Sequence, residues 1–309
     1  MVAFIDVIEQ WRMHGPVALA TVVRVGGSAP RRIGARMVIN ASGDITGSVS
    51  GGCVEADVIE RAMEVLANGA AQLVHYGISD QTAWDVGLMC GGQIDVFIEK
   101  LDEQFDGIAQ LYRQEKTFTL TKVILGSSIG QTRITLGASA VLDDEYTFTE
   151  VIYPPAALYI VGASHIAITL VDIAKTIGYR VTVIDPRTIF ATQARFEHAD
   201  KLVIDYPQHF LTPAMLHARS ALAVVAHDPK IDDGAIILAC QSETGYIGAL
   251  GSRRTHAERL VRLRKAGLSD EQLARIHAPI GLDIGAGSPE EIALAIAAQM
   301  VAVRCSTYN

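Results

Sequence analysis

The hydrophobic rhythm of the chain changes near its midpoint. In the first half the apolar runs are short and of mixed period. Phe4, Ile8 and Trp11 recur at helical spacing, and Gly15-Pro16 stops that helix. Val17–Val25 is rich in β-branched residues and predicts a strand. Arg36–Asn40 and Ile45–Val49 flank Ala41-Ser42-Gly43-Asp44, the pattern of a hairpin. Val54–Leu66 predicts a helix ended by Asn68-Gly69, and Asp102–Gln114 another. Leu73–Tyr76, Ile94–Ile98, Phe118–Leu125 and Thr132–Leu136 read as further strands. Together these predict an α+β domain with a mainly antiparallel or mixed sheet, whose strand order the pattern does not reveal.

After Tyr153-Pro154-Pro155 the pattern becomes regular. Pro-Pro disfavours helix before it and removes ladder donors, so it reads as a linker. Apolar strands at Ala157–Val161, Arg180–Ile184, Lys201–Ile204, Ala221–Ala226 and Tyr246–Leu250 alternate with helical segments such as Ile166–Ile177. Such alternation predicts a parallel sheet covered on both faces. The last helix is marked by Ser288 as N-cap, Pro289, and the acids Glu290 and Glu291. It is long enough to serve a homodimer as well as the core. The expected fold class is therefore α/β, with a smaller α+β N-terminal domain over residues 1–152 and a Rossmann-like parallel-sheet domain over 153–309.

Composition narrows the partners. The 309 residues are 50% apolar and 19% charged, a globular mixture, and the formal net charge is −8. An acidic balance with 6% aromatic residues argues against nucleic-acid binding, which needs surplus cations and stacking platforms. No apolar run approaches the roughly 20 residues of a membrane span, and the first residues lack the basic start of a signal peptide. Four Cys make no disulfide framework, and cytoplasmic residence is the expectation.

Candidate chemistry lies in glycine-rich loops. Gly47-Ser48-Val49-Ser50-Gly51-Gly52-Cys53-Val54-Glu55 runs from a strand into a helix. Backbone N–H groups at such a helix start favour an anion and raise the thiolate fraction of a nearby Cys. Gly51 and Gly52 leave room for a ligand to approach Cys53. A tight turn with a small buried Cys is the plainer alternative. A second thiol, Cys90, stands beside Gly91 and Gly92. Two Cys do not make a structural zinc site, but they suit a sulfur-bearing or soft-metal ligand. The loop Gly26–Arg36 carries Arg31, Arg32 and Arg36, whose planar forks match phosphate, though a solvated hairpin tip would look the same.

In the second half, Gly162, Ser164 and Ala167 occupy the three slots of a degraded dinucleotide fingerprint. His165 opens the following helix, and Asp185 closes the next strand, where it would suit a ribose hydroxyl. Arg253 and Arg254 stand at a helix start at a C-terminal strand end, where phosphate could be met. His165, His209, His227 and His277 show no metal-ligand spacing. The Rossmann half leaves an NAD(P)-dependent oxidoreductase as one alternative function, and a pure interaction scaffold as another.

Taken in chain order, Gly27–Arg36 (GSAPRRIGAR), Gly47–Glu55 (GSVSGGCVE), Leu88–Gly92 (LMCGG), Val161–Ala167 (VGASHIA), Ala226–Asp232 (AHDPKID), Gly245–Arg254 (GYIGALGSRR) and His277–Glu291 (HAPIGLDIGAGSPEE) resemble the XdhC/CoxI family of accessory factors for molybdenum hydroxylases. Ser164 stands where that family commonly has Gly. The resemblance implies a chaperone rather than a turnover enzyme. It would bind the molybdenum cofactor, as molybdopterin mononucleotide or the cytosine dinucleotide form. It would protect the cofactor, support its sulfuration by a cysteine desulfurase, and insert it into a xanthine or aldehyde dehydrogenase-type client. Cys53 is then the first candidate for a molybdenum contact or sulfur relay and Cys90 the second, with Arg31, Arg32 and Arg36 toward the anionic end of the ligand.

Overall fold

The structure, a computed structural model, describes residues 4–29, 31–77, 92–140 and 144–307. The chain divides into two compact units, Met1–Pro154 and Pro155–Asn309.

In the first unit, β1 (Val17–Gly26) is the spine of a five-stranded sheet. It pairs antiparallel with β2 (Arg36–Asn40) on one side and β5 (Gln93–Lys100) on the other. The edges are β3 (Ile45–Gly47), beside β2, and β4 (Gln72–Tyr76), beside β5. The apolar run of β1 lacks alternation because both faces are covered. Ala18, Ala20 and Val22 face α2 (Glu55–Asn68), whose Val58, Ala62 and Val65 join the same cluster. Val17 and Leu19 face the opposite way, toward α1 (Ile5–Arg12) and α3 (Gln104–Arg113), with Ile8, Phe105 and Ile108. Gly69 ends α2 at φ 76°, its N–H on the Val65 carbonyl, as a left-handed C-cap requires.

A second, three-stranded antiparallel sheet follows, in the order β7 (Thr132–Leu136), β6 (Phe118–Val123), β8 (Thr147–Ile152). The hydrophobic pattern shows no sign of β8, because its Thr-Phe-Thr-Glu-Val-Ile sequence runs straight into the Pro-Pro segment. The strand nevertheless buries Ile152 in the cluster with Val17, Leu19 and Phe118. Two ion pairs, Arg36–Glu150 and Lys122–Glu99 (2.5 Å), tie the two sheets together.

The second unit holds six strands: β9 (Ala156–Val161), β10 (Tyr179–Ile184), β11 (Lys201–Val203), β12 (Ser220–Val224), β13 (Tyr246–Ala249) and β14 (Ile276–His277). Their order is β11-β10-β9-β12-β13-β14, and every pairing is parallel. This is the doubly wound Rossmann arrangement, with the reversal between β9 and β12. One face carries α4 (His165–Thr176) and α9 (Pro289–Thr307), whose Leu170, Ala174, Ile296 and Met300 share a cluster. The other carries α5 (Pro207–Phe210), α6 (Pro229–Cys240), α7 (Arg253–Lys265) and α8 (Asp270–Ala274). The last helix thus buries much of its apolar surface in the core.

At the reversal point Gly162 sits at φ 110°, and a Cβ there would lie 2.4 Å from the Ala226 backbone nitrogen. Neither the backbone angle nor the space admits a side chain. A Gly162→Ala protein should lose at least about 3 kcal/mol of stability, seen as a lowered urea midpoint; an unshifted midpoint would contradict this packing.

Candidate functional site

The glycine turn before α2 is built around one carboxylate. Glu55, the first helical residue, folds its side chain back into the loop. Its Oε1 accepts from Ser48 Oγ at 2.7 Å and from the backbone N–H groups of Val49 (3.2 Å), Ser50 (2.9 Å) and Gly51 (3.0 Å). Its Oε2 accepts from Gly52 N–H at 2.8 Å, Val54 N–H at 3.2 Å, and the Ser50 hydroxyl. Ser50 Oγ in turn accepts from Cys53 N–H at 2.9 Å and Val54 N–H at 3.0 Å. The donors expected to hold an external anion are therefore occupied from within, and Glu55 takes the place of that anion. The signal was present as an acidic residue in the first turn of a helix after a glycine loop, where the dipole and the loop donors both favour it.

Locked in this way, the turn presents Cys53 as an exposed free thiol. Gly51 and Gly52 adopt φ 83° and 117°, and the space where their side chains would stand is open. Glycine serves the backbone angles here and also leaves the sulfur uncrowded.

The arginine loop separates into two groups. Arg31 and Arg32 are exposed. Arg36 is not available as a phosphate fork, contrary to the sequence expectation. It lies on β2 with its guanidinium on the Glu150 carboxylate and the Gly34 carbonyl, and its side chain is 8% exposed. The opposing Glu150 belongs to β8, the strand the pattern concealed. Gly92 packs against this same loop, since a Cβ there would lie 2.8 Å from the Ser28 carbonyl oxygen. Cys90 and Gly91 lie outside the described residues.

The Rossmann fingerprint is likewise used internally. Asp185 is fully buried, and its carboxylate accepts from Ala163 N–H at 2.7 Å and from Arg187 N–H at 2.9 Å. It also takes both Arg187 Nε (2.9 Å) and Nη2 (2.7 Å). Burial alone would push its pKa up, but the Arg187 and Ala163 donors outweigh it and hold the carboxyl below its ordinary range. Asp185 therefore staples the Gly162 turn to β10 and is closed to a ribose hydroxyl. Arg187 belongs to no motif, and nothing in the sequence marks it as the partner of Asp185. Ser164 caps α4 by accepting from Ala167 N–H at 3.3 Å, while His165 is exposed. On α7, Arg254 pairs with Glu258 on the helix surface and Arg253 is exposed. Among the described residues no group of three or more His, Cys, Asp or Glu could hold a metal ion, and no helix is long and apolar enough to cross a membrane.

Glu55 also sets an acid limit on the turn. Burial raises its pKa, but the hydroxyls of Ser50 and Ser48 and the backbone donors of Ser50 and Gly52 prevail and bring it to about 2, from an ordinary 4.5. A depressed carboxyl contributes stability above its unfolded value and loses it as pH falls through the folded one. Denaturant titrations should show this contribution intact above about pH 5 and draining away between pH 4.5 and 2. Glu55→Gln should cost about 1–3 kcal/mol at pH 7, with the gap to the parent shrinking in that acid window. A gap independent of pH would contradict the assignment.

Two family profiles match this chain, one described as the XdhC Rossmann domain over residues 158–300 and one as the XdhC and CoxI family over residues 10–77. The chain is 28% identical to a Bacillus subtilis protein named as a probable xanthine dehydrogenase subunit, over 93% of this chain and 92% of that one. It is 29% identical to the Escherichia coli molybdenum cofactor insertion chaperone PaoD, over 93% of this chain and 83% of that one. A crystal structure described as a xanthine dehydrogenase from Bacillus halodurans matches with a TM-score of 0.83 at 27% identity, covering 98% of this chain and 96% of that one. With both units matched in sequence and the whole chain matched in fold, the protein belongs to the XdhC and CoxI family.

Proposed function

We propose that this protein is a molybdenum cofactor insertion chaperone. It holds the cofactor, supports replacement of a terminal oxo by a sulfido ligand with a cysteine desulfurase, and delivers the product to a xanthine dehydrogenase-type apo-hydroxylase. The observation that carries this reading is the exposed Cys53 thiol on a turn whose backbone is held by Glu55. The relative named as a cofactor insertion chaperone supports it.

The chemistry fits a carrier. A thiolate is a soft donor suited to a molybdenum–sulfur centre. With no cluster of protein ligands among the described residues, the metal would have to arrive already held by its pterin, and this chain would add the sulfur of Cys53. One contact is enough to hold a cargo that must later be released. The space beside Gly51 and Gly52 is open, and the exposed Arg31 and Arg32 suit a phosphate. Because Glu55 fills the backbone cradle, those arginines rather than the loop N–H groups meet the anionic end. Cys53 acts either as the metal contact or as the relay that passes sulfur; Cys90 is the second thiol. The cofactor form is the mononucleotide or the cytosine dinucleotide.

Molybdenum and phosphate analysis of protein purified from a host that makes the cofactor tests this reading. Cys53→Ala should retain at least about tenfold less molybdenum than the parent, and should fail to activate the apo-hydroxylase with or without the desulfurase. Its stability should stay within about 0.5 kcal/mol of the parent, as befits an exposed side chain. Unchanged molybdenum content and client activation would overturn the proposal.

A further inference from the structure

The Rossmann unit spends the acid of its fingerprint on itself and is open elsewhere. At the turn after β9, Gly162 lies against Ala226 and Asp185 is consumed by Ala163 and Arg187. At the C-terminal ends of β13 and β14, by contrast, a cleft of about 420 Å³ lies between the β13–α7 turn and the loop 278–287. That volume falls within the roughly 300–1,000 Å³ of small-molecule sites, and its place outside the carboxyl ends of parallel strands is where open α/β sheets bind ligands.

The lining has a definite chemistry. Leu250, Pro279, Leu282 and Ile284 supply apolar walls, with one cation, Arg253, and one carboxylate, Asp283. Neither charged group has a hydrogen-bond or ion-pair partner among the described residues, whereas most other arginines of this unit, such as Arg187, Arg262 and Arg264, are paired. Ile284 is 56% exposed on the cleft loop, an apolar side chain left facing solvent.

Both walls are held in place. Beneath the β13–α7 turn, the buried Arg259 donates from Nη2 to the Leu250 carbonyl at 2.8 Å, with the Asp232 carboxylate behind it at 3.8 Å. On the opposite wall, Gly281 N–H donates to Gln299 Oε1 at 2.9 Å and Leu282 N–H to the Ala295 carbonyl at 3.1 Å. The Glu291 carboxylate takes the N–H groups of Gly287 (2.8 Å) and Ser288 (3.0 Å). A pre-formed cleft binds without an ordering cost.

We infer that this cleft is a binding site for a phosphorylated nucleoside: a flat ring between Leu250, Leu282 and Ile284, a phosphate on Arg253, and a ring amine or sugar hydroxyl donating to Asp283. The inference rests on the Rossmann unit alone and stands apart from the role of Cys53. A free nucleotide and the nucleotide end of a larger cofactor share this chemistry.

Calorimetry on the full chain with cytidine and adenosine 5′-monophosphates, their nucleosides and inorganic phosphate tests the site. At least one nucleotide should bind saturably with a sub-millimolar dissociation constant, and its nucleoside and phosphate alone at least tenfold more weakly. Arg253→Gln and Ile284→Asp, both exposed changes, should each weaken the nucleotide at least tenfold while the melting temperature holds. Cys53→Ala should bind it as the parent does, whatever its molybdenum content. Absence of nucleotide binding, or parent-like binding by Arg253→Gln, overturns the inference and leaves the molybdenum reading untouched. If added nucleotide displaces bound molybdenum cofactor, the site belongs to the cofactor's own nucleotide; if it binds without displacement, the ligand is a free nucleotide.

Discussion

Backbone N–H groups that converge without a partner are costly, and five of them converge on the carboxylate at the head of α2. The functional reading of the first unit depends on how that cost is met. A ligand phosphate would make the turn conditional on its guest. Glu55 makes the turn permanent, so the thiol is presented whether or not cargo is bound. That suits the proposed role of receiving a cofactor and giving it away, because the turn's geometry is set without a guest.

The second unit satisfies its own polar groups in a similar way. The features that mark a dinucleotide fold from sequence are a glycine turn, a helix start and an acid at the end of the second strand. Here they are stapled to one another through Asp185, Ala163 and Arg187. The fold keeps the architecture of nucleotide binding and turns its usual contacts to its own stability. The ligand-sized opening with unpaired charge lies instead beside the last two strands of the sheet. Architecture alone points to the turn after β9, whose acid is claimed from within; fold does not determine function.

Much of the architecture was legible because it rests on local periodicity. Strand–helix alternation announced the parallel sheet, and Gly69 and Ser288 mark helix ends by chemistry that acts within a few residues. β8 was not legible, because a short threonine-rich strand at the edge of a three-stranded sheet carries little burial pattern of its own. That omission had a consequence at the candidate site: Glu150 on the unseen strand is the partner that removes Arg36 from the set of anion forks.

The chain by itself therefore determined the two-part plan, the glycine turn with its cysteine and the separate arginine loop, since each is written in neighbouring residues whose propensities act over a turn or a strand. Only the tertiary structure decided which polar groups remain free. Glu55 is next to the donors it fills and Asp185 is 22 residues from Ala163, yet neither pairing is visible in spacing alone; Arg36 and Glu150 are 114 residues apart. A charged side chain is available to a ligand only if nothing in its own fold has claimed it, and that depends on which distant residues packing brings within hydrogen-bond reach.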